Sequence, residues 1–263
     1  MFPTKTAALA ALAALAGFAA APAGAVTMVG LTADNKLVWI DTDKKTASAP
    51  KPITGSDQRI VGIDVRPANG KLYAVGANGQ IFTLAPDTGV LTPVSQIAEK
   101  VELGAKPVVD FNPVADRLRV IGVYGTSLRI NVDNGQTVVD KPLAFDAADA
   151  NAAKRPMIAA GAYINAVAGA KATELFHVDH GAGALVLQNP PNDGILKTKG
   201  ALGMKVEPMA AMDVMSRPGG ENLAYLLSGK TLYAIDLASA KAMAMGAIAG
   251  IGGDIIDIAV LPQ

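Results

Sequence analysis

The chain has 263 residues, 23 basic and 23 acidic side chains, two histidines and no cysteine. That even balance argues against a nucleic-acid or anionic-membrane partner, both of which select an excess of Lys and Arg. The missing cysteine excludes disulfides, thiolate metal sites and a cysteine-linked lipid anchor, so the apolar core must carry stability alone.

The first predicted element is a targeting segment. Residues 1–25 carry one charge, Lys5, then an Ala/Leu run, then Pro22 and Ala23-Gly24-Ala25. A basic start, a short apolar stretch and small residues at the cut are the pattern of a secretory signal peptide. The apolar run is short of the roughly 20 residues that a membrane span needs. Cleavage is expected after Ala25. The mature chain, residues 26–263, then holds 22 basic and 23 acidic residues, a net charge of −1, and no membrane span. Its expected location is the periplasm or the cell exterior.

Beyond the leader the chain repeats itself. "IVGIDVRPANGKLYAVGANGQIFTLAPDTGVLTPV" from Ile60, "PVVDFNPVADRLRVIGVYGTSLRINVDNGQTVV" from Pro107 and "AAMDVMSRPGGENLAYLLSGKTLYAIDLASAKAMAM" from Ala210 align as one unit. Each opens on an apolar run holding Asp64, Asp110 or Asp213, followed by Pro67, Pro113 or Pro218. Three further short runs follow, with turns such as Pro86-Asp87-Thr88-Gly89 between them. Period-two alternation broken by Gly, Asn, Asp and Pro predicts short antiparallel strands. In the Pro86 turn, proline presets φ and glycine tolerates the left-handed position. Four strands per unit is a propeller blade.

A less regular unit starts at Pro156. It has a first run and a "LFHVDHGAGALVL" hairpin, and leaves open whether its second run is weak or "ILKTKG" is an extra strand. The last unit is only half present. "IIDIAVLP" from Ile255 matches a first run, with Asp257 and Pro262, whereas the stretch from Met28 starts at a second run. The final strand is therefore expected to complete the blade that the mature N-terminus begins, hiding two sheet edges. The expected fold is an all-β, five-bladed propeller over residues 26–263, with six blades as the alternative if the Pro156 unit divides.

The stretches "VDFNPVADRLRVIGVYGTSLRINVDNGQ" and "LVLQNPPNDGILKTKGALG", preceded by "IVGIDVRPANGKLYAVGANGQIFTL", resemble the bacterial family catalogued as domain of unknown function 4394. The resemblance spans essentially the whole mature chain. It implies an exported protein of propeller-like repeats and carries over no activity. His177 and His180 depart from it, since the family has apolar and small residues there.

Several constellations bear on chemistry. Asp64, Asp110, Asp213 and Asp257 recur once per unit. They are read either as caps on the backbone amides of the following turn or as a channel ring for Ca²⁺. In the second full unit, alternation puts Asp110 with Asn112, Arg117 with Arg119, and Arg129 with Asn131, each pair on one strand face. These six are the candidate ligand-binding residues. Buried guanidinium groups need partners, so the set is either an ion-pair network between the third and fourth blades or a pocket for a small anion.

"QNPPNDG", residues 188–194, is a stiff loop, either a long turn or a recognition rim. His177 and His180 lack a third metal ligand. Met204, Met209, Met212, Met215, Met243 and Met245 read as core filler rather than a copper site. There is no G-x-S-x-G and no phosphate loop, and none of Glu99, Glu102, Glu174, Glu207 or Glu221 takes the regular inner-strand position of a paired glycosidase carboxylate. The expected function is a non-catalytic binding or interaction scaffold for a small anionic ligand or a protein. The alternative is a lactonase-like or glycosidase-like hydrolase using channel carboxylates with or without Ca²⁺. No cofactor is assigned.

Overall fold

The computed structural model describes residues 26–99, 102–122, 125–217 and 219–262. The expected leader, with Lys5, and Pro218 lie outside them. The chain enters on β1 (Thr27–Thr32), β2 (Lys36–Asp41), β3 (Thr46–Ala47) and β4 (Lys51–Pro52). The second blade is β5 (Ile60–Arg66), β6 (Lys71–Gly76), β7 (Gln80–Ala85) and β8 (Val90–Gln96). The third is β9 (Val108–Asn112), β10 (Arg117–Ile121), β11 (Ser127–Ile130) and β12 (Thr137–Asp140). After β13 (Ala144–Phe145) the fourth blade runs through β14 (Ile158–Tyr163), β15 (Leu175–Asp179), β16 (Ala184–Gln188) and β17 (Ile195–Ala201). The fifth is β18 (Ala211–Ser216), β19 (Asn222–Ser228), β20 (Thr231–Asp236) and β21 (Lys241–Ala247), and the last strand is β22 (Ile255–Val260).

Five sheets result, antiparallel but for the added β13, and the molecule is a five-bladed propeller. Turn chemistry sets the hairpins. Gly89, expected at the left-handed position, has φ +76°, and a Cβ there would lie 2.5 Å from Pro52 O. The inner strands β22, β5, β9, β14 and β18 touch in a closed ring. β22 completes the first blade: it pairs antiparallel with β1, Met28 opposite Val260 and Gly30 opposite Ile258. The ambiguity of the Pro156 unit resolves simply. "LFHVD" is its second strand, "ALVLQ" its third and "ILKTKGA" its fourth, with β13 added in parallel outside.

Apolar faces of adjacent blades pack into one cluster per seam. Four seams hold thirteen to fifteen buried apolar residues each, whereas the seam between the third and fourth blades holds seven. That thinner seam is where polar side chains go inside. Met212 and Met215 are core residues as expected, but Met243 is 48% exposed on the outer strand β21.

Candidate functional site

The recurrent aspartates sit in the middle of inner strands, and their carboxylates reach sideways to the next inner strand. Asp257 accepts Ile63 N–H at 2.8 Å, Asp64 accepts Phe111 N–H at 2.6 Å, Asp110 accepts Tyr163 N–H at 2.9 Å and Asp213 accepts Val260 N–H at 2.6 Å. Asp64, Asp213 and Asp257 also accept the amide of the residue that follows each in sequence. The amides capped are therefore those of the strand itself and of its neighbour, not those of the following turn. Inner strands meet edge to edge without a shared ladder, so amides facing the gap need an acceptor. β14 has no acid, and the seam after it, between the fourth and fifth blades, has the largest apolar cluster.

The same geometry crowds charge. One oxygen each from Asp64, Asp110 and Asp213 lies within 4.8 Å of the others, and all three side chains are buried. Burial raises all four aspartates, reinforced by the other carboxylates at Asp64 and Asp110. Asp213 is pushed up to about 7 and Asp257 to about 8. Lys106 enters from the opposite mouth, donates to Ala159 O and partly offsets Asp257; burial lowers its ammonium to about 8.

A cavity of about 560 Å³ lies at the C-terminal ends of the inner strands, with Asp64, Asp213, Ser216 and Arg217 among apolar residues such as Val65, Val214, Met215 and Leu261. A second, about 440 Å³, lies between the third and fourth blades, at the N-terminal ends of β9 and β14 beside Lys106 and His180. The three carboxylates can offer a cation one oxygen apiece. Ca²⁺ takes about 6–8 oxygens, so at least half the shell would come from elsewhere.

The six candidate residues of the third blade divide. Pairing places Asn112 opposite Arg117, and Arg119 between Asp110 and Arg129, so these five share one face. Asn112 and Asn131 spend their carboxamide oxygens on turn amides at Val114, Ala115 and Asp133. Arg119, 1% exposed, donates to Asp140, Ser127, Tyr163 and Asn192. Arg129 forks onto the same Asp140, at 2.8 and 2.9 Å. Two arginines directly opposite each other repel, and Asp140 answers that repulsion. Since Tyr163 and Asn192 belong to the fourth blade, Arg119 joins the thin seam. Among the described residues Arg117 donates only to the carbonyls of Ala115 and Asp116.

Residues 188–194 take part in this joinery. Asn192 meets Arg119, and Gln188 bridges His177, at 2.7 Å, to Pro191 O. Because the Gln188 amide nitrogen donates, its oxygen accepts, which puts the imidazole proton on Nε2. Burial and the nearby Arg119 lower His177 to about 4, and its Nδ1 has no partner among the described residues. Gly161 makes the room: a Cβ there would lie 2.0 Å from that Nδ1.

Residues 19–259 match the model of a domain of unknown function, DUF4394. The chain belongs to this family. No curated protein matches the DUF4394 chain. A Bacteroides thetaiotaomicron protein of unknown function is similar over 90% of this chain and 62% of its own, at 14% identity and TM-score 0.52. A Bacteroides caccae protein of unknown function is similar over 91% of this chain and 100% of its own, at 11% identity and TM-score 0.45.

Sequence reasoning missed Asp140, Lys106 and Tyr163, and reached Asn192 only as part of the loop 188–194. Only Asp140 left a signal: Arg119 and Arg129 on adjacent strands demand an acid on the next one.

Proposed function

We propose that this DUF4394 protein is an exported, non-catalytic binding scaffold. One observation carries the reading: every acidic group of the channel already accepts main-chain amides from inner strands. Their orientation serves the seams, and a general acid or base must instead reach a substrate proton. The leader pattern of residues 1–25 supports export to the periplasm or beyond.

The hydrolase reading has its own observation, three buried carboxylates within 4.8 Å of one another near a 560 Å³ cavity. A panel of chromogenic lactones and glycosides, assayed with Ca²⁺ and with chelator, separates the two. No turnover above buffer is expected. Turnover that Asp64→Asn abolishes in a folded protein would overturn the scaffold reading.

A further inference from the structure

We infer that the outer half of the third blade is an oxyanion site, built to take a carboxylate, phosphate or sulfate group. This inference rests on the scaffold reading and names its ligand class. A groove of about 400 Å³ is lined there by Arg117, Arg129, Asn131, Gln136 and Thr137, with Ala98 and Val138.

The free polar capacity in this groove is donor-rich. Arg129 commits Nε and Nη2 to Asp140, and its Nη1 has no hydrogen bond among the described residues. Among the described residues Arg117 commits only Nη1, to two carbonyls. Asn131 and Gln136 spend their side-chain oxygens on Asp133 N–H and on the Asn134 amide, which leaves their NH₂ groups. Thr137 donates its hydroxyl to Gly135 O. Guanidinium edges and amide donors around one space are the chemistry of oxyanion recognition.

Charge balance points the same way. Arg66, Arg117, Arg119 and Arg129 stand against Asp116, Asp133 and Asp140, which leaves one positive charge over. Arg66 holds Asp116 and Asp133, Asp133 also feels Arg117, and Asp110, opposite Arg119, is driven toward its neutral form by burial. Arg119 lies buried behind the groove, and its remaining partners Tyr163, Ser127 and Asn192 are neutral. Its charge is not neutralised a second time, and it adds positive potential to a groove where the Arg129 side chain is 32% exposed.

The test is calorimetric titration of the whole protein at low salt with inorganic phosphate and, separately, with trigalacturonic acid. Saturable binding of either probe is expected, weakened by added NaCl. Arg117→Gln should weaken it at least tenfold, about 1.4 kcal/mol, with an unchanged melting temperature. Gln136→Leu, which leaves the Asp140 network intact, should weaken it as well. Tighter binding of the uronate would assign an acidic glycan, and phosphate binding alone a phosphoryl group. No saturable binding of either probe, or binding that both variants leave unchanged, would overturn the site. That failure would leave the scaffold reading standing, whereas cleavage of the uronate would overturn the scaffold reading instead.

Discussion

Deletion of residues 255–263 is expected to abolish the cooperative unfolding transition. β22 is the inner strand of the first blade, and Ile255, Ile256 and Ile258 are each at most 4% exposed. Burying an isoleucine contributes about 1.5–3 kcal/mol, so three approach the whole stability of an ordinary domain, about 5–15 kcal/mol. The strand also carries two seams: Asp257 accepts Ile63 N–H, and Val260 N–H goes to Asp213. Its loss bares the edge of β1, which favours aggregation. Circular dichroism of the truncated chain should show no sharp melt. A melting temperature equal to the full-length value would refute the closure.

Asp140→Ala is expected to cost about 3–5 kcal/mol, the penalty for leaving a buried charge without its partner. Arg119 is 1% exposed at its side chain and Asp140 5%, so water cannot replace the lost carboxylate. Arg119→Ala should cost less, though well over ~1 kcal/mol. Asp140 keeps Arg129 in that variant, while Tyr163, Ser127 and Asn192 lose a donor. Chemical denaturation of both variants checks the order. Asp140→Ala near wild type, or milder than Arg119→Ala, would mean that the network does not hold the seam.

The blades and their closure were legible in the residues because they rest on local signals. Alternation, Gly-bearing turns and the Asp-then-Pro mark recur with each unit, and the half unit at Ile255 has only one place to go. The fourth blade blurred because β14 lacks the aspartate and 11 residues separate it from β15. In the third blade, alternation found the shared faces of the arginines. It could not find which element crosses the seam to meet them. Tyr163, Asn192 and Lys106 arrive through the angle between blades, which no spacing along the chain encodes. The aspartates were legible as a repeat, but their partners were not: a strand amide and a turn amide look alike in sequence.

The channel aspartates join blades and keep their protons because burial disfavours their charge. Linkage turns that into a pH dependence. Asp213 and Asp257 titrate near 7 and 8 in the fold against 3.8 without it. The folded state therefore binds more protons than the unfolded one between those values, and stability falls as pH rises through them. Lys106, lowered to about 8 from 10.5, opposes this only above pH 8, and His177, lowered to about 4 from 6.5, opposes it between those two values, one imidazole against four raised carboxylates. Asp34, lowered by Lys36, and Asp133, lowered by Arg66, lose their contributions as pH falls below 3.8. The decisive measurement is a set of thermal melts from about pH 5 to about pH 8, each with EDTA and with Ca²⁺. The account predicts a melting temperature that falls across this range and is the same with chelator and with Ca²⁺. A melting temperature that rises toward pH 8, or that Ca²⁺ raises by several degrees as a native-state ligand does, would contradict it and make the aspartates a cation site.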